Sequence, residues 1–347
     1  MGSIAWNPER KVDIIPLGRV AIDFNPVDMY RPLSESTTFK KYLGGSPANI
    51  AVGMARLGKA VGFIGMVSDD QFGTYVTDYF RKEGIDTSHI VRARHGESLG
   101  LTFTEIKSEQ ESSLLMYRNA IADLSLEPGD VQEEYIRSSK MLLISGTALA
   151  QSPSREAALK AMELAEKTQT PVVFDIDYRA YNWHGPDEIA VYCSAVGRSS
   201  DIIFGSREEF DLMQGLLGPD RDDWETAERW FGHGAKILVI KHGKEGSTVF
   251  TREGGEYRVR PLPIKKLKGF GGGDAYASAF LYGLLENWSV EKSLEFANAS
   301  ASLLVASHSC SDAMPRVEQI VDYIRDCQEK YGKDVTKIEV RQPRHPV

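Results

Sequence analysis

Cysteine is scarce in this chain of 347 residues, and its few copies lie far apart. The three cysteines, Cys193, Cys310 and Cys327, are too few and too widely spaced for the disulfide framework of a small secreted domain. Neither they nor the seven histidines show the short spacing that a metal site needs. Because unpaired cysteines are typical of a reducing compartment, we expect a cytoplasmic protein.

Long apolar runs and an excess of basic residues are also missing. No stretch approaches the roughly 18 consecutive apolar residues of a membrane span, and residues 1–11 contain no apolar run long enough for a signal peptide. The net charge is -8 and the pI about 5.5, so no basic stripe is available for nucleic acid or an anionic membrane. We expect neither of these partners, and an anionic ligand must be bound by local groups.

Two common nucleotide-binding motifs do not occur in their usual form. The chain contains no Gly-x-x-x-x-Gly-Lys-Ser/Thr sequence, which excludes an ordinary P-loop. The segment Gly269-Phe270-Gly271-Gly272-Gly273 superficially matches a dinucleotide fingerprint. That fingerprint belongs near the first strand of a βαβ unit, however, so its late position counts against this interpretation.

Short apolar runs alternate with helical patterns along most of the chain. Runs dense in Val, Ile and Leu predict buried strands at residues 12–17, 60–66, 141–144, 172–175, 201–204 and 237–240. Helical patterns at residues 47–57 and 71–83 are each followed by a glycine that predicts the helix end. This alternation predicts a doubly wound α/β fold with a mostly parallel sheet flanked by helices.

Two stretches, about residues 23–42 and 97–119, alternate polar and apolar residues and predict antiparallel strands. Strands projecting from a parallel core could form a small β-sheet lid over the crevice at the carboxyl ends of the core strands. An ordinary surface hairpin is the alternative. We expect one domain over residues 1–330 and a solvated C-terminal tail over residues 331–347, which mix charged residues with proline.

The late motif Gly271-Gly272-Gly273-Asp274 opens a predicted helix. Glycines let backbone N–H groups approach a ligand, and the start of a helix favours negative charge. Asp274 is ionised at neutral pH, so beside a phosphate it is useful only if a hydroxyl between them gives up a proton. The motif favours phosphoryl transfer to a hydroxyl, although Asp274 could instead simply cap the helix after a flexible loop.

A second glycine turn, Gly44-Gly45-Ser46-Pro47-Ala48-Asn49, leads into the first predicted helix, with Pro47 suited to the first helical position. The backbone at Gly44 and Gly45 and the amide of Asn49 would suit several hydroxyls of a sugar, or the turn is merely structural. Asp23, a few residues after the first predicted strand, could bind two hydroxyls or stabilise a turn.

Arg118 and Arg179 are single cations near the ends of predicted strands in an acidic protein. Either guanidinium could form a fork onto a carboxylate or a phosphate. Lone arginines are usually surface residues, so these two are informative only together with the glycine turns.

The early turn and the late motif, in this order and at this separation, resemble the two signature motifs of the ribokinase-like (PfkB) carbohydrate kinases. The resemblance covers about residues 11–325. Within that family, the features that look like the sugar-acid kinases are Tyr117-Arg118 followed by Ala120, Asp175-x-Asp177-Tyr178-Arg179, and Trp183. An acid substrate would account for the arginines.

This resemblance implies an enzyme that uses ATP and Mg²⁺ to phosphorylate the terminal hydroxyl of a sugar acid. It implies that Asp274 is the general base and that the N–H groups of Gly271, Gly272 and Gly273 form the anion hole. The residues it implies in substrate binding are Asp23, Gly44, Gly45, Asn49, Arg118, Asp177 and Arg179. Those it implies at the nucleotide are Lys241, Gly243, Gly246 and Asn298, and Glu208 would act on magnesium through water. Which arginine meets the carboxylate stays open, and we expect any self-association to use the lid strands.

The chain departs from the family pattern at the start of the late motif, which usually reads Asp-Thr-x-Gly-Ala-Gly-Asp. Lys268 and Gly269 replace its first two residues, and Gly272 replaces its alanine. The leading Asp helps a monovalent-cation site in some members, and a lysine there would repel the cation. We therefore expect that potassium does not activate turnover; potassium-dependent turnover at constant ionic strength would contradict this. Gly205 also stands where the family's Asn-x-x-Glu motif, here matched to Glu208, has its Asn.

Other functions fit the same motifs. The substrate could instead be 2-keto-3-deoxygluconate, fructose or a nucleoside. The arginines favour acids, but they do not distinguish one keto-deoxy acid from another. A protein that kept the fold could also sense a nucleotide or sugar without catalysis, since fold alone does not prove activity.

Overall fold

The computed structural model describes residues 4–108, 111–265, 267 and 270–341. Its strands, numbered in chain order, are β1 Ile15–Leu17, β2 Ala21–Pro26, β3 Phe39–Gly44, β4 Gly65–Val67, β5 Ile90–Arg92, β6 Gly100–Ile106, β7 Ser112–Tyr117, β8 Leu142–Ser145, β9 Val172–Asp175, β10 Ile202–Ser206, β11 Ile237–Lys241, β12 Ser247–Thr251, β13 Glu256–Val259 and β14 Glu339–Arg341. Its α-helices are α1 Ser46–Arg56, α2 Gln71–Lys82, α3 Glu133–Arg137, α4 Ser154–Thr168, α5 Pro186–Arg198, α6 Arg207–Met213, α7 Asp223–His233, α8 Gly272–Leu285, α9 Val290–Val305 and α10 Val317–Tyr331.

The main sheet of the described residues has the strand order β1-β8-β9-β10-β11-β12-β13-β14. Strands β1 and β8 to β11 are parallel, and β12 to β14 add antiparallel pairs at one edge. The predicted α/β fold with a mostly parallel sheet is confirmed. The predicted strand at 60–66 contributes β4, which pairs with β5 in a separate two-stranded sheet.

Helices cover both faces of the main sheet and enclose two apolar cores. One core contains buried residues of α1, α8 and α9, and the other contains buried residues of α4, α5 and α7. Helices α1 and α8 approach closely at Gly53, where a Cβ would lie 2.5 Å from Ser278 Oγ. This close approach brings the amino ends of α1 and α8 side by side, so the two glycine turns face one crevice.

The lid is a four-stranded sheet with the order β3-β2-β6-β7. Its outer pairs are antiparallel, but β2 and β6 are parallel, with Ala21 opposite Gly100 and Phe24 opposite Phe103. Each predicted stretch forms an antiparallel pair, β2 with β3 and β6 with β7, and the two stretches meet at a parallel pair. The reason is that β4 and β5 run parallel to each other and the chain at Ile64 runs parallel to Leu17, so β2 and β6 leave the core in one direction.

The stretch predicted as a solvated tail, residues 331–347, contains one short strand. Helix α10 ends at Tyr331, and Glu339–Arg341 form β14, which pairs with β13 at the edge of the main sheet. The side chains of β14 are exposed, so sequence composition alone gave no sign of this pairing. Within the described part of the chain, every helix is too short or too polar to cross a membrane.

Candidate active site

Asp274 lies in the first turn of α8 and is held by two side chains from the start of α1. Ser46 Oγ donates to Asp274 Oδ1 at 2.8 Å, and Asn49 Nδ2 donates to Asp274 Oδ2 at 2.8 Å. Gly271, with φ +85°, caps the helix where a Cβ would lie 2.5 Å from Cys310 Sγ. Both oxygens of Asp274 are therefore oriented by hydrogen bonds, and a side chain at Gly271 in the adjacent turn would clash with Cys310.

The electrostatic surroundings make Asp274 a stronger base than an ordinary aspartate. Burial and the negative charge of Asp177 raise its pKa to about 6, against the hydrogen bonds from Asn49 and Ser46 and the positive charge of Arg179. A carboxylate with a raised pKa still carries its negative charge at neutral pH and accepts a proton more readily. Asp274 is thus suited to accept a proton near physiological pH.

This pKa predicts a pH dependence of activity. Only the carboxylate form of Asp274 accepts a proton, so we expect kcat/KM for the acceptor substrate to be constant above about pH 6 and to fall below it. Initial rates between about pH 5 and 8 at saturating MgATP measure this effect, with the thermal unfolding temperature recorded at each pH as a control. A profile that stays flat to the acid end while the protein remains folded would contradict the assignment of Asp274 as the base.

The residues predicted to bind sugar hydroxyls lie next to Asp274. Asp23, in β2, packs against Gly44, where a Cβ would lie 2.2 Å from Asp23 Oδ1. Gly45 has φ +100°, and a Cβ there would lie 2.5 Å from the carbonyl oxygen of Arg19. Asn49 Oδ1 is buried without a hydrogen-bond partner in the described structure. These groups form a polar crevice in which Asn49 still offers an acceptor to a ligand hydroxyl.

The predicted acidic and basic residues after β9 are also near Asp274. Asp177 is buried with φ +40°; it accepts from Ser145 Oγ at 3.0 Å and pairs with Arg179 at 2.7 Å. Asp177 holds the pKa of Arg179 above its ordinary value. Arg118, at the end of β7, instead pairs with Asp123 at 2.8 Å. The two predicted arginines therefore serve different parts of the crevice.

A cavity of about 420 Å³ adjoins the other side of the glycine turn. Its lining includes Gly271–Gly273 together with the four residues predicted at the nucleotide, which are Lys241, Gly243, Gly246 and Asn298. Leu262, Ile264 and Val305 make part of its wall apolar. A pocket with an apolar wall that ends on backbone N–H groups at a helix start suits a purine nucleotide with its phosphates.

Two carboxylates near this cavity fit a magnesium ion carried by nucleotide phosphates. Asp175 Oδ1 is buried, has no hydrogen-bond partner among the described residues and lies 3.7 Å from Lys241 Nζ, so it can accept from a metal-bound water. Burial raises the pKa of Asp175 despite the attraction of Lys241. Glu209 accepts from the N–H groups of Tyr178 at 2.8 Å and Ser206 at 2.6 Å. Since Mg²⁺ commonly keeps several waters and few protein carboxylates, these residues fit it.

The structure points to Glu209, rather than the predicted Glu208, as the glutamate of this region. Glu208 is exposed on α6, whereas Glu209 turns back to the end of β9 and β10. With Ser206 in place of the motif's Asn, Glu209 also has the spacing of Asn-x-x-Glu. Two adjacent glutamates made this register ambiguous in the sequence.

The adjacent pair gives a matched test. We expect Glu209→Gln to raise the magnesium concentration needed for half-maximal activity by about tenfold, the lower end of the effect of outer-shell partners on metal affinity. Glu208→Gln, which removes the same charge one residue away, should leave the magnesium dependence unchanged. Titration of activity with MgCl₂ at fixed ATP measures both variants, and equal shifts in the two would contradict the assignment.

Several residues at the site received no role from the sequence. Ser46 and Asp175 belong to motifs that the sequence shows, but the sequence does not show that they contact each other, at 3.2 Å. Arg19 gave no signal beyond lying near the first strand. Lys268 and Gly269 lie outside the described residues, so the expectation about potassium stays a prediction.

Comparisons with known proteins identify the family of the chain. The model of the pfkB family carbohydrate kinases matches residues 12–317, and the chain belongs to that family. A provisionally assigned Ribokinase II of E. coli, solved in complex with ATP and Mg²⁺, has the same fold, with a TM-score of 0.81 and 20% identity over 91% of this chain and 99% of that one.

More similar relatives carry one name. A 5-dehydro-2-deoxygluconokinase of Clostridium perfringens is 64% identical over 337 residues, which cover 97% of this chain and 100% of the relative. A 5-dehydro-2-deoxygluconokinase of Geobacillus kaustophilus is 50% identical over 324 residues, covering 93% of this chain and 97% of the relative.

Proposed function

We propose that this protein transfers the γ-phosphoryl group of ATP to the terminal hydroxyl of 5-dehydro-2-deoxy-D-gluconate, a sugar acid of inositol catabolism. The observation that carries this proposal is Asp274, fixed by Ser46 and Asn49 between the polar crevice and the nucleotide-sized cavity. The names of relatives up to 64% identical over nearly the whole chain support the choice of substrate.

In the proposed reaction, Asp274 accepts the proton of the terminal hydroxyl as that oxygen bonds to the γ-phosphorus. The bond from the γ-phosphorus to the bridging oxygen breaks, and ADP leaves with its electron pair. The N–H groups of Gly271–Gly273 and the charge of Lys241 stabilise the phosphoryl oxygens, which is the main contribution expected in phosphoryl transfer. When bound, Mg²⁺ would offset phosphate charge, held through water by Asp175 and Glu209.

The lid gives this reaction a means of excluding water. Strands β2 and β6 project from the core beside the start of α1, so a bound sugar would lie between the lid and α1. Excluding water protects a reactive phosphoryl group from hydrolysis. We accordingly propose that ATP hydrolysis is slow until the sugar acid is bound.

A substrate panel tests the proposal. ADP release is measured after mixing the protein and MgATP with 5-dehydro-2-deoxygluconate, 2-keto-3-deoxygluconate or fructose, and the product is identified by mass and by the position of its phosphate. We expect the highest kcat/KM for the first compound. A higher kcat/KM for another sugar would identify that sugar as the substrate instead. Absence of sugar-dependent ADP release would favour a sensing protein.

We also propose self-association through the lid. Strand β7 is an edge strand and exposes Leu114, Leu115 and Tyr117 at 38%, 46% and 58%. Apolar side chains on an open edge favour contact with another copy. Sedimentation at several concentrations tests this, and a monomer throughout would contradict it.

We also propose a cytoplasmic location. The three cysteines, all in the described residues, form no disulfide, which supports it.

A further inference from the structure

Arg19 lies between β1 and β2, at the base of the lid, and is almost fully buried, with 5% of its surface exposed. Its carbonyl oxygen contacts the Gly45 turn, so its backbone is part of the substrate crevice. Asp23, the third residue of β2, attracts its positive charge, and Arg179 repels it. A buried guanidinium in this place requires an explanation because arginine cannot shed its charge and has five N–H donors.

The protein satisfies the donors of Arg19 poorly. Arg19 Nε is buried and has no hydrogen-bond partner in the described structure. In the part of the chain that the structure describes, its two terminal nitrogens reach only Tyr181 Oη and Thr102 Oγ1, each at 3.4 Å, the long end of hydrogen bonding. A buried donor without an acceptor costs free energy, because its hydrogen bond to water is lost and not replaced. The guanidinium is therefore prepared for an acceptor that the protein does not supply.

Arg118 has a comparable unmet donor. Its side chain is only 7% exposed; Nη2 pairs with Asp123 at 2.8 Å and Nε donates to Asn182 at 3.0 Å. Its Nη1, however, is buried without a partner in the described residues. A Cβ at Gly100 would lie 3.3 Å from Arg118 Nη1, and Arg19 Nη2 reaches Thr102, two residues further along β6 on the same face, so the two guanidinium groups lie along one strand. An anion entering this region could accept from Arg19 and from Arg118.

Arg179 differs from these two arginines in its hydrogen bonds. Its Nη1 donates to the carbonyl of Tyr178 at 2.7 Å, and its Nη2 pairs with Asp177 at 2.7 Å. Its charge also acts on Asp274. Arg179 is therefore paired with Asp177 beside Asp274, at the end of the crevice where the phosphoryl group would arrive.

We infer that Arg19, together with Arg118, binds the carboxylate of the sugar acid through buried N–H groups that lack a protein acceptor. This inference rests on the proposed function, because a sugar acid with its terminal hydroxyl at Asp274 needs a cationic site for its other end. A guanidinium edge, Nε with one Nη, matches the two oxygens of a carboxylate. Arg19 is then a specificity-determining residue that selects acids over neutral sugars.

The test compares the acid with a neutral analogue in which a hydroxymethyl group replaces the carboxylate. KM is measured for the acid, and the analogue is measured as a substrate or, without turnover, as a competitive inhibitor. We expect R19Q to raise KM for the acid by roughly 10- to 100-fold, the loss expected for hydrogen bonds to a charged group. Binding of the neutral analogue and KM for ATP should change by less than about threefold, because Asp274 and the nucleotide cavity are untouched.

Two further variants make this test decisive. R19K keeps a cation in the same space but lacks the planar fork, so it should fold and recover only part of the preference for the acid. R10Q is the matched control: Arg10 donates to Ser139 and Thr168 carbonyls near the amino ends of β8 and β9, at the opposite end of the sheet. The preference of R10Q for the acid over the neutral analogue should equal that of the wild type.

The outcomes separate this inference from the proposed function. If the wild type phosphorylates the acid but R19Q and R19K weaken the acid and the neutral analogue equally, Arg19 is merely structural and the inference is overturned. If the wild type itself shows no preference for the acid, the proposed sugar-acid substrate fails instead. A loss confined to the acid, with ATP binding retained, establishes the carboxylate site.

Discussion

Replacing Asp274 by asparagine is expected to lower kcat by about 10²- to 10⁴-fold, the usual contribution of a positioned general base. An amide cannot accept the hydroxyl proton at neutral pH, although it occupies the same volume. Its oxygen can still accept from Asn49, and Ser46 can donate to Asp175 instead, since Ser46 Oγ already lies 3.2 Å from Asp175 Oδ2. Fold and nucleotide binding should therefore survive. Steady-state kcat and the KM for ATP measure the two effects separately.

The control for this variant is the same change on the surface. Asp78, on α2, has an exposed side chain paired with the equally exposed Arg81. Asp78→Asn should leave kcat unchanged, because an exposed ion pair contributes little. If Asp274→Asn keeps the turnover of the wild type, another group accepts the proton and the proposed mechanism is wrong.

Adding a single methyl group at Gly45 is expected to lower kcat/KM for the sugar acid by about 100-fold, the effect of misplacing a binding group by about 1 Å. Gly45 has φ +100°, and its Cβ would lie 2.5 Å from the backbone oxygen of Arg19. Both partners are backbone, so neither can rotate away. The glycine turn must move, and with it Ser46 and Asn49, which orient Asp274.

A second glycine separates this clash from simple backbone strain. Gly58, after α1, has φ +88°, but a Cβ there would meet nothing within 4 Å. Gly58→Ala should lower the free energy of unfolding by roughly 1 kcal/mol, the cost of a left-handed alanine, without changing kcat/KM. Thermal unfolding and initial rates on both variants test this contrast. Equal activity in Gly45→Ala and Gly58→Ala would show that the close approach to Arg19 does not position the site.

The sequence predicts most of the nucleotide-site residues and the base, because these predictions depend on local features. A glycine turn before a helix, as at Gly271, is visible as a pattern, and its backbone conformation follows from the absence of a Cβ. The substrate side was less accessible. Arg19 lies in an ordinary connection between strands, and only its burial together with its missing acceptors makes it notable.

By itself, the sequence determined the α/β class, both glycine turns and the position of Asp274 at a helix start, since periodicity and glycine placement act over a few residues. Only the tertiary structure decided which groups meet Asp274. Its partners Ser46 and Asn49 are 228 and 225 residues away in the chain, and packing of α1 on α8 brings them together. The same holds for the parallel pairing of β2 with β6 and for Glu209 over Glu208. Such choices depend on how distant elements pack, and packing is a property of the whole chain.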